Sequence, residues 1–145
     1  MFSPEASFRE KSALAMLILW LLVTAFYIVE MAPWRWTMHS IHAPMKPFVV
    51  ATIAIIIGSI VVQAVLGARD PKEASAPADE RERPILDKAS SWSGTVLGVG
   101  CVASILHYLQ HGSGDLLFHT IFLSLIISSL AEFAFQLWLF RRASR

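Results

Sequence analysis

Cysteine is almost missing from this chain: Cys101 is the single one in 145 residues, and it falls inside a long apolar run. That excludes an intramolecular disulfide, a CxxC redox pair and a thiolate metal centre. Charge is scarce as well. Asp, Glu, Lys and Arg make up 16% of the residues, below the roughly 25% of ordinary soluble domains, and the net charge is only +1. The basic residues form no continuous stripe, which argues against nucleic acid as a partner. Catalytic signatures are lacking too. No HExxH motif occurs, and the serines, gathered chiefly in the last two apolar runs, have no obvious base at matching depth. The residues argue against an enzyme.

Apolar side chains are what the sequence has in excess. Hydrophobic residues make up 55% of the chain, and its mean hydropathy is +0.56. They gather into four runs at about 13–31, 47–66, 89–109 and 116–140. Each is near the ~20 residues that a helix needs to cross hydrocarbon. The expected fold class is therefore all-α: a polytopic membrane protein forming an antiparallel four-transmembrane-helix bundle, one domain over residues 1–145. The first run is followed by Glu30-Met31-Ala32-Pro33-Trp34 instead of a small-x-small cleavage site. It reads as a retained span and not as a signal peptide.

The charges set the expected orientation. Arg9 and Lys11 precede the first run; Arg69, Lys72, Arg81, Arg83 and Lys88 separate the second from the third; Arg141, Arg142 and Arg145 follow the fourth. Only Arg35 and Lys46 fall on the other side. Short Lys/Arg-rich loops stay cytoplasmic, which places both the N-terminus and the C-terminus inside a bacterial cytoplasmic (inner) membrane. All five histidines then fall on the outer side.

Local signals mark the ends of the helices. Ser3-Pro4-Glu5 reads as a helix start, Pro33 as the end of helix one, and Pro47 and Gly67 as the limits of helix two. Residues 68–83 hold Pro71, Pro77 and alternating charges, the composition of a cytoplasmic linker. Pro84 is placed to start helix three. His111-Gly112-Ser113-Gly114-Asp115 is a tight turn that makes a hairpin of helices three and four.

Candidate chemistry lies mostly at the outer side. His107 and His111 are four residues apart near the end of helix three, and so share a face. Asp115 and His119 are four apart at the start of helix four. His39 and His42 lie in the outer loop, Glu30 closes helix one, and Met31, Met38 and Met45 are near in sequence. Imidazole and carboxylate are common transition-metal ligands, and His107 could equally serve as an axial ligand to haem. The plainer reading is an interfacial belt, because helix ends at this depth collect His, Trp and Tyr, here with Trp34, Trp36 and Tyr108.

Two further groups need a reason. Glu132 lies eight residues before the end of the fourth run, about 12 Å inside at 1.5 Å per residue. A carboxylate there costs about 2.5 kcal/mol or more unless protonated or paired. Gln136 is one turn away and Gln63 is at comparable depth, so the three read either as an interhelical clamp or as a proton or cation carrier. In helix three, Ser90, Gly94 and Gly98 recur every four residues as a smooth stripe. Such a stripe suits close helix contact, in the interior of the bundle or against a second copy.

The segment Asp79-Glu80-Arg81-Glu82, with Ile85 and then Lys88-Ala89, resembles the D-E-R-x-x-x-I segment of a family of small uncharacterised prokaryotic four-span membrane proteins. The resemblance covers that segment and the plan of spans, and Pro84 departs from it. It implies the four-span fold and no activity. The expected function is thus a small non-enzymatic integral membrane protein, an accessory or regulatory subunit with a histidine-rich ligand site on its outer face. The alternatives are a proton- or cation-coupled transporter using Glu132, and an electron-transfer subunit binding a transition metal or haem. Expected partners are the lipid bilayer and either a second copy or another membrane or cytoplasmic protein.

Overall fold

A computed structural model describes residues 8–36 and 44–143, with side chains at all of these except 33–36. The described residues are helical with short connections: α1 (Phe8–Trp36), α2 (Met45–Arg69), α3 (Pro71–Ser75), α4 (Glu82–His111) and α5 (Gly114–Ala143). Four of them, all but α3, are long and apolar enough to cross a membrane. The 30 residues of α4 would span about 45 Å at 1.5 Å per residue. The helices thus run past the apolar segments at both ends.

The prolines end the helices less sharply than their chemistry suggests. α1 continues through Pro33 to Trp36, and α2 begins at Met45 with Pro47 in its first turn. α4 starts two residues before Pro84, where the Asp79 carbonyl accepts from the amides of Glu82 and Arg83 at 3.0 Å. A proline lacks only its own N–H, so near a helix start it removes a donor that has no intrahelical partner anyway. Residues 68–83 include the five-residue α3, whose start is capped by Asp70 accepting from the Glu73 amide. The Ser3-Pro4-Glu5 start lies outside the described residues. The turn after α4 is as tight as its composition requires. Gly112 adopts φ +67°, and its amide donates to the Tyr108 carbonyl at 2.7 Å. That left-handed conformation favours glycine and ends the helix.

Three of the long helices, α1, α2 and α5, meet around one core, and α4 packs on α5. α1 packs against both α2 and α5, and α5 packs against α4. The core lies among the first three of these: Val23, Tyr27 and Met31 of α1, Ala51 of α2 and Ile126 of α5 are buried together, flanked by Phe48 and Phe122. Phe48 meets Phe118 and Phe122 edge-on, with ring centroids 4.8 and 4.7 Å apart. Such edge contacts suit the aromatic quadrupole.

α4 is attached differently. Ala89, Ser93 and Ser104 are its buried residues, all toward α5. The Ser128 hydroxyl donates to the Ser93 carbonyl at 2.8 Å across the contact. Gly100 approaches α5 so closely that a Cβ there would sit 2.6 Å from Ser124 Oγ and 2.7 Å from its Cβ. Beyond the small-residue contact, Trp92 meets Phe135 edge-on at 5.2 Å, with Lys88 over the indole.

Candidate functional site

The two ends of the helices carry different chemistry, and each draws on several elements. At the histidine end, His119 is buried on α5 and its Nδ1 is hydrogen-bonded to the hydroxyl of Tyr27, itself buried on α1. Phe122 packs edge-on against Tyr27 at 5.1 Å, and Phe118 against His119 at 5.2 Å. Helical phase explains this placement. His119 is seven residues from Ile126, two turns along the same face, and that face turns toward α1. Ser124 and Ser128, which meet α4, lie roughly 200° from Ile126 at 100° per residue.

His107 and His111 are therefore not brought to His119. Both are exposed on α4, their rings stacked with centroids 4.2 Å apart. His111 Nδ1 lies 3.1 Å from the His107 carbonyl. A carbonyl only accepts, so that nitrogen carries the proton. Glu30 is exposed on α1, Asp115 occupies the first turn of α5, and His39 and His42 lie outside the described residues. Among the described residues, no three His, Cys, Asp or Glu side chains gather as a metal-ligand set.

The basic end holds the second constellation. Gln136 Nε2 donates to Glu132 Oε1 at 3.4 Å, one turn away on α5. Gln63 of α2 is instead bonded to Ser12 of α1: its Nε2 donates to Ser12 Oγ at 2.9 Å, and the serine donates back to Oε1 at 3.3 Å. Gln63 and Gln136 nonetheless share one cavity of ≈340 Å³, whose polar lining also includes Arg9 and Ser12. Arg9 closes one side. Its Nε donates to Glu82 Oε2 at 2.9 Å and its Nη2 to the Ala76 carbonyl at 3.2 Å. This arginine ties the starts of α1 and α4 to the segment between them. Arg141 and Glu10 stand 4.0 Å apart nearby.

The Ser90, Gly94, Gly98 stripe does not form the contact with α5. Its three residues are exposed, and a Cβ added at Gly94 or Gly98 would meet nothing within 4 Å. The face that α5 covers carries Ala89, Ser93, Gly100 and Ser104. α4 thus has two smooth faces, one used and one uncovered.

Sequence reasoning missed Tyr27 as the partner of His119, the Gly100–Ser124 approach and the Arg9–Glu82 ion pair. The second had a signal: Gly100 and Ser104 are four apart on α4, and so are Ser124 and Ser128 on α5. The other two join residues 92 and 73 positions apart. No local pattern reports such pairs. Compared with protein-family models, curated proteins and solved structures, the chain matches none.

Proposed function

We propose that this chain is a four-span, antiparallel integral membrane protein with both termini cytoplasmic, acting as a non-enzymatic accessory or regulatory subunit through the uncovered face of α4. Support for the membrane reading is the outward display of apolar side chains. Leu22, Ile60, Val99 and Leu109 are 65%, 65%, 66% and 73% exposed. In water such surfaces would aggregate; in lipid they are the normal outer surface.

The single observation that carries the subunit reading is the position of α4 outside the three-helix core, packed on α5. The most apolar 18-residue stretch of α4 has a mean hydropathy of 1.4, against 2.6 for that of α2, yet among the described residues only α5 packs extensively along it. Its serines and its uncovered Ser90, Gly94, Gly98 stripe suit another helix better than lipid. The test is chemical crosslinking and co-purification from native membranes, comparing the wild type with Gly94→Leu/Gly98→Leu. Loss of the associated species in a variant that remains folded supports the reading. An identical set of associated species in both overturns it.

A second reading is favoured by the cavity at the basic end. Gln63, Ser12 and Gln136 line it, and Gln136 bonds Glu132, a polar route from the helix ends to a carboxylate inside the span. This arrangement suits a proton or cation carrier. Proton or cation flux into protein-loaded vesicles that disappears in Glu132→Gln would favour transport. Equal flux in the variant and in empty vesicles would dismiss it.

A further inference from the structure

A further recess belongs to neither constellation. It lies between α1 and α2 at the basic end, has a volume of ≈570 Å³ and opens to the surface. Its α1 wall is Phe8, Lys11, Leu14, Ala15 and Ile18, a set spaced to share one helix face. Leu66 and Arg69 complete it from α2, together with Asp70.

Polarity is divided within this groove. Its floor is aliphatic, formed by Leu14, Ala15, Ile18 and Leu66, whereas Lys11 and Arg69 stand exposed at the end of the span. Neither cation has an ion-pair partner among the described residues, unlike Arg9, which is held by Glu82. Asp70 also lines the groove, where its Oδ1 accepts from the Glu73 amide at 3.4 Å, so the mouth carries two cations against one carboxylate. Two cations at the mouth of an apolar slot match a phosphate with a hydrocarbon chain attached. A volume of this size falls within the roughly 300–1,000 Å³ of ordinary ligand pockets.

We infer that the α1–α2 groove binds one anionic phospholipid, its headgroup phosphate between Lys11 and Arg69 and an acyl chain along Leu14, Ala15, Ile18 and Leu66. This inference rests on the membrane reading above. The charge at the mouth selects an anionic headgroup from the cytoplasmic leaflet, where basic residues next to a span attract acidic lipids. The apolar floor distinguishes a lipid from free phosphate, which gains nothing from it.

The experiment is native mass spectrometry of the full-length protein in detergent micelles. Phosphatidylglycerol, phosphatidylcholine with the same acyl chains, or inorganic phosphate is added in turn. One phosphatidylglycerol should be retained preferentially. Lys11→Ala/Arg69→Ala should weaken its retention by about tenfold or more, while Arg141→Ala/Arg142→Ala should not. Ala15→Phe, which fills the floor and keeps both charges, should also displace it. Equal retention of the two lipids, undiminished retention in Lys11→Ala/Arg69→Ala, or a response to inorganic phosphate equal to that for lipid would overturn the site. Resistance of each protein to alkaline carbonate extraction is measured alongside. A protein that stays in the membrane yet shows no lipid preference refutes the groove alone; one that is extracted refutes the membrane reading itself.

Discussion

Helix α5 meets its neighbours in two ways. Toward α1 and α2 it presents Ile126, Phe122 and His119, which interdigitate with Tyr27, Val23, Ala51 and Phe48. Toward α4 it presents Ser124 and Ser128, against Gly100 and the Ser93 carbonyl. The first contact is made by large side chains fitting around one another, and the second by backbones drawn close over small residues. On the proposed membrane reading, lipid tails are as apolar as leucine, so neither contact would gain from removing apolar surface from water. The first depends on dispersion and ring geometry, the second on close approach and one interhelical hydrogen bond. Volume-conserving changes should therefore be tolerated at the first, whereas almost any added bulk should damage the second.

The sharpest break of that comparison is Gly100→Leu. The new side chain has no room beside Ser124, and the α4–α5 contact should lose about 3 kcal/mol. Trp92 fluorescence reports it directly, because the indole packs on Phe135 and Trp138 of α5. An unchanged emission spectrum and unfolding midpoint would refute close approach at this position. Next comes Ile126→Ala in the three-helix core, where the residue is 1% exposed. About 2 kcal/mol should be lost in detergent unfolding, toward the lower end of the range for core truncations because the transfer part is absent in lipid.

Tyr27→Phe keeps the ring and removes only the hydroxyl bonded to His119, so about 0.6 kcal/mol is expected. A loss as large as that of Ile126→Ala would show that the polar pair, more than the packing, holds the core. Arg9→Ala tests a half-exposed ion pair and should cost about 0.5 kcal/mol, with the wild-type advantage shrinking in high salt. The smallest effect belongs to Gly94→Leu. This residue faces open space, so the unfolding of the single chain should be unchanged to within about 0.5 kcal/mol. That contrast with Gly100, six residues away on the same helix, is the cleanest separation of the covered face from the uncovered one.

Some of this was legible from residue types alone. The apolar runs anticipate the four long helices, and Gly112 with Gly114 anticipates the turn between α4 and α5. The polar pair Glu132 and Gln136 was readable at one-turn spacing and is joined in the structure. Gln63 shares a cavity with Gln136 but is bonded to Ser12, a partner on a different helix. His119 shows the limit most clearly. Its spacing from Asp115 and its nearness in sequence to His111 group it with the other histidines, yet its face on α5 turns it to Tyr27.

The division has a physical cause. The number of long helices, their lengths and the turn joining the last two depend on the chain locally: on the apolar content of ~20-residue windows and on one glycine at positive φ. Residue composition determined those by itself. Which face of each helix meets another depends on the rotation and order of all the helices together. In a soluble protein, apolar periodicity would reveal the buried face; on the proposed membrane reading both faces of a helix are apolar, because one would meet lipid and the other protein. Only the tertiary structure could decide that α5 stands between α1 and α4, that Tyr27 receives His119, and that one small-residue face of α4 is covered while the other is left open.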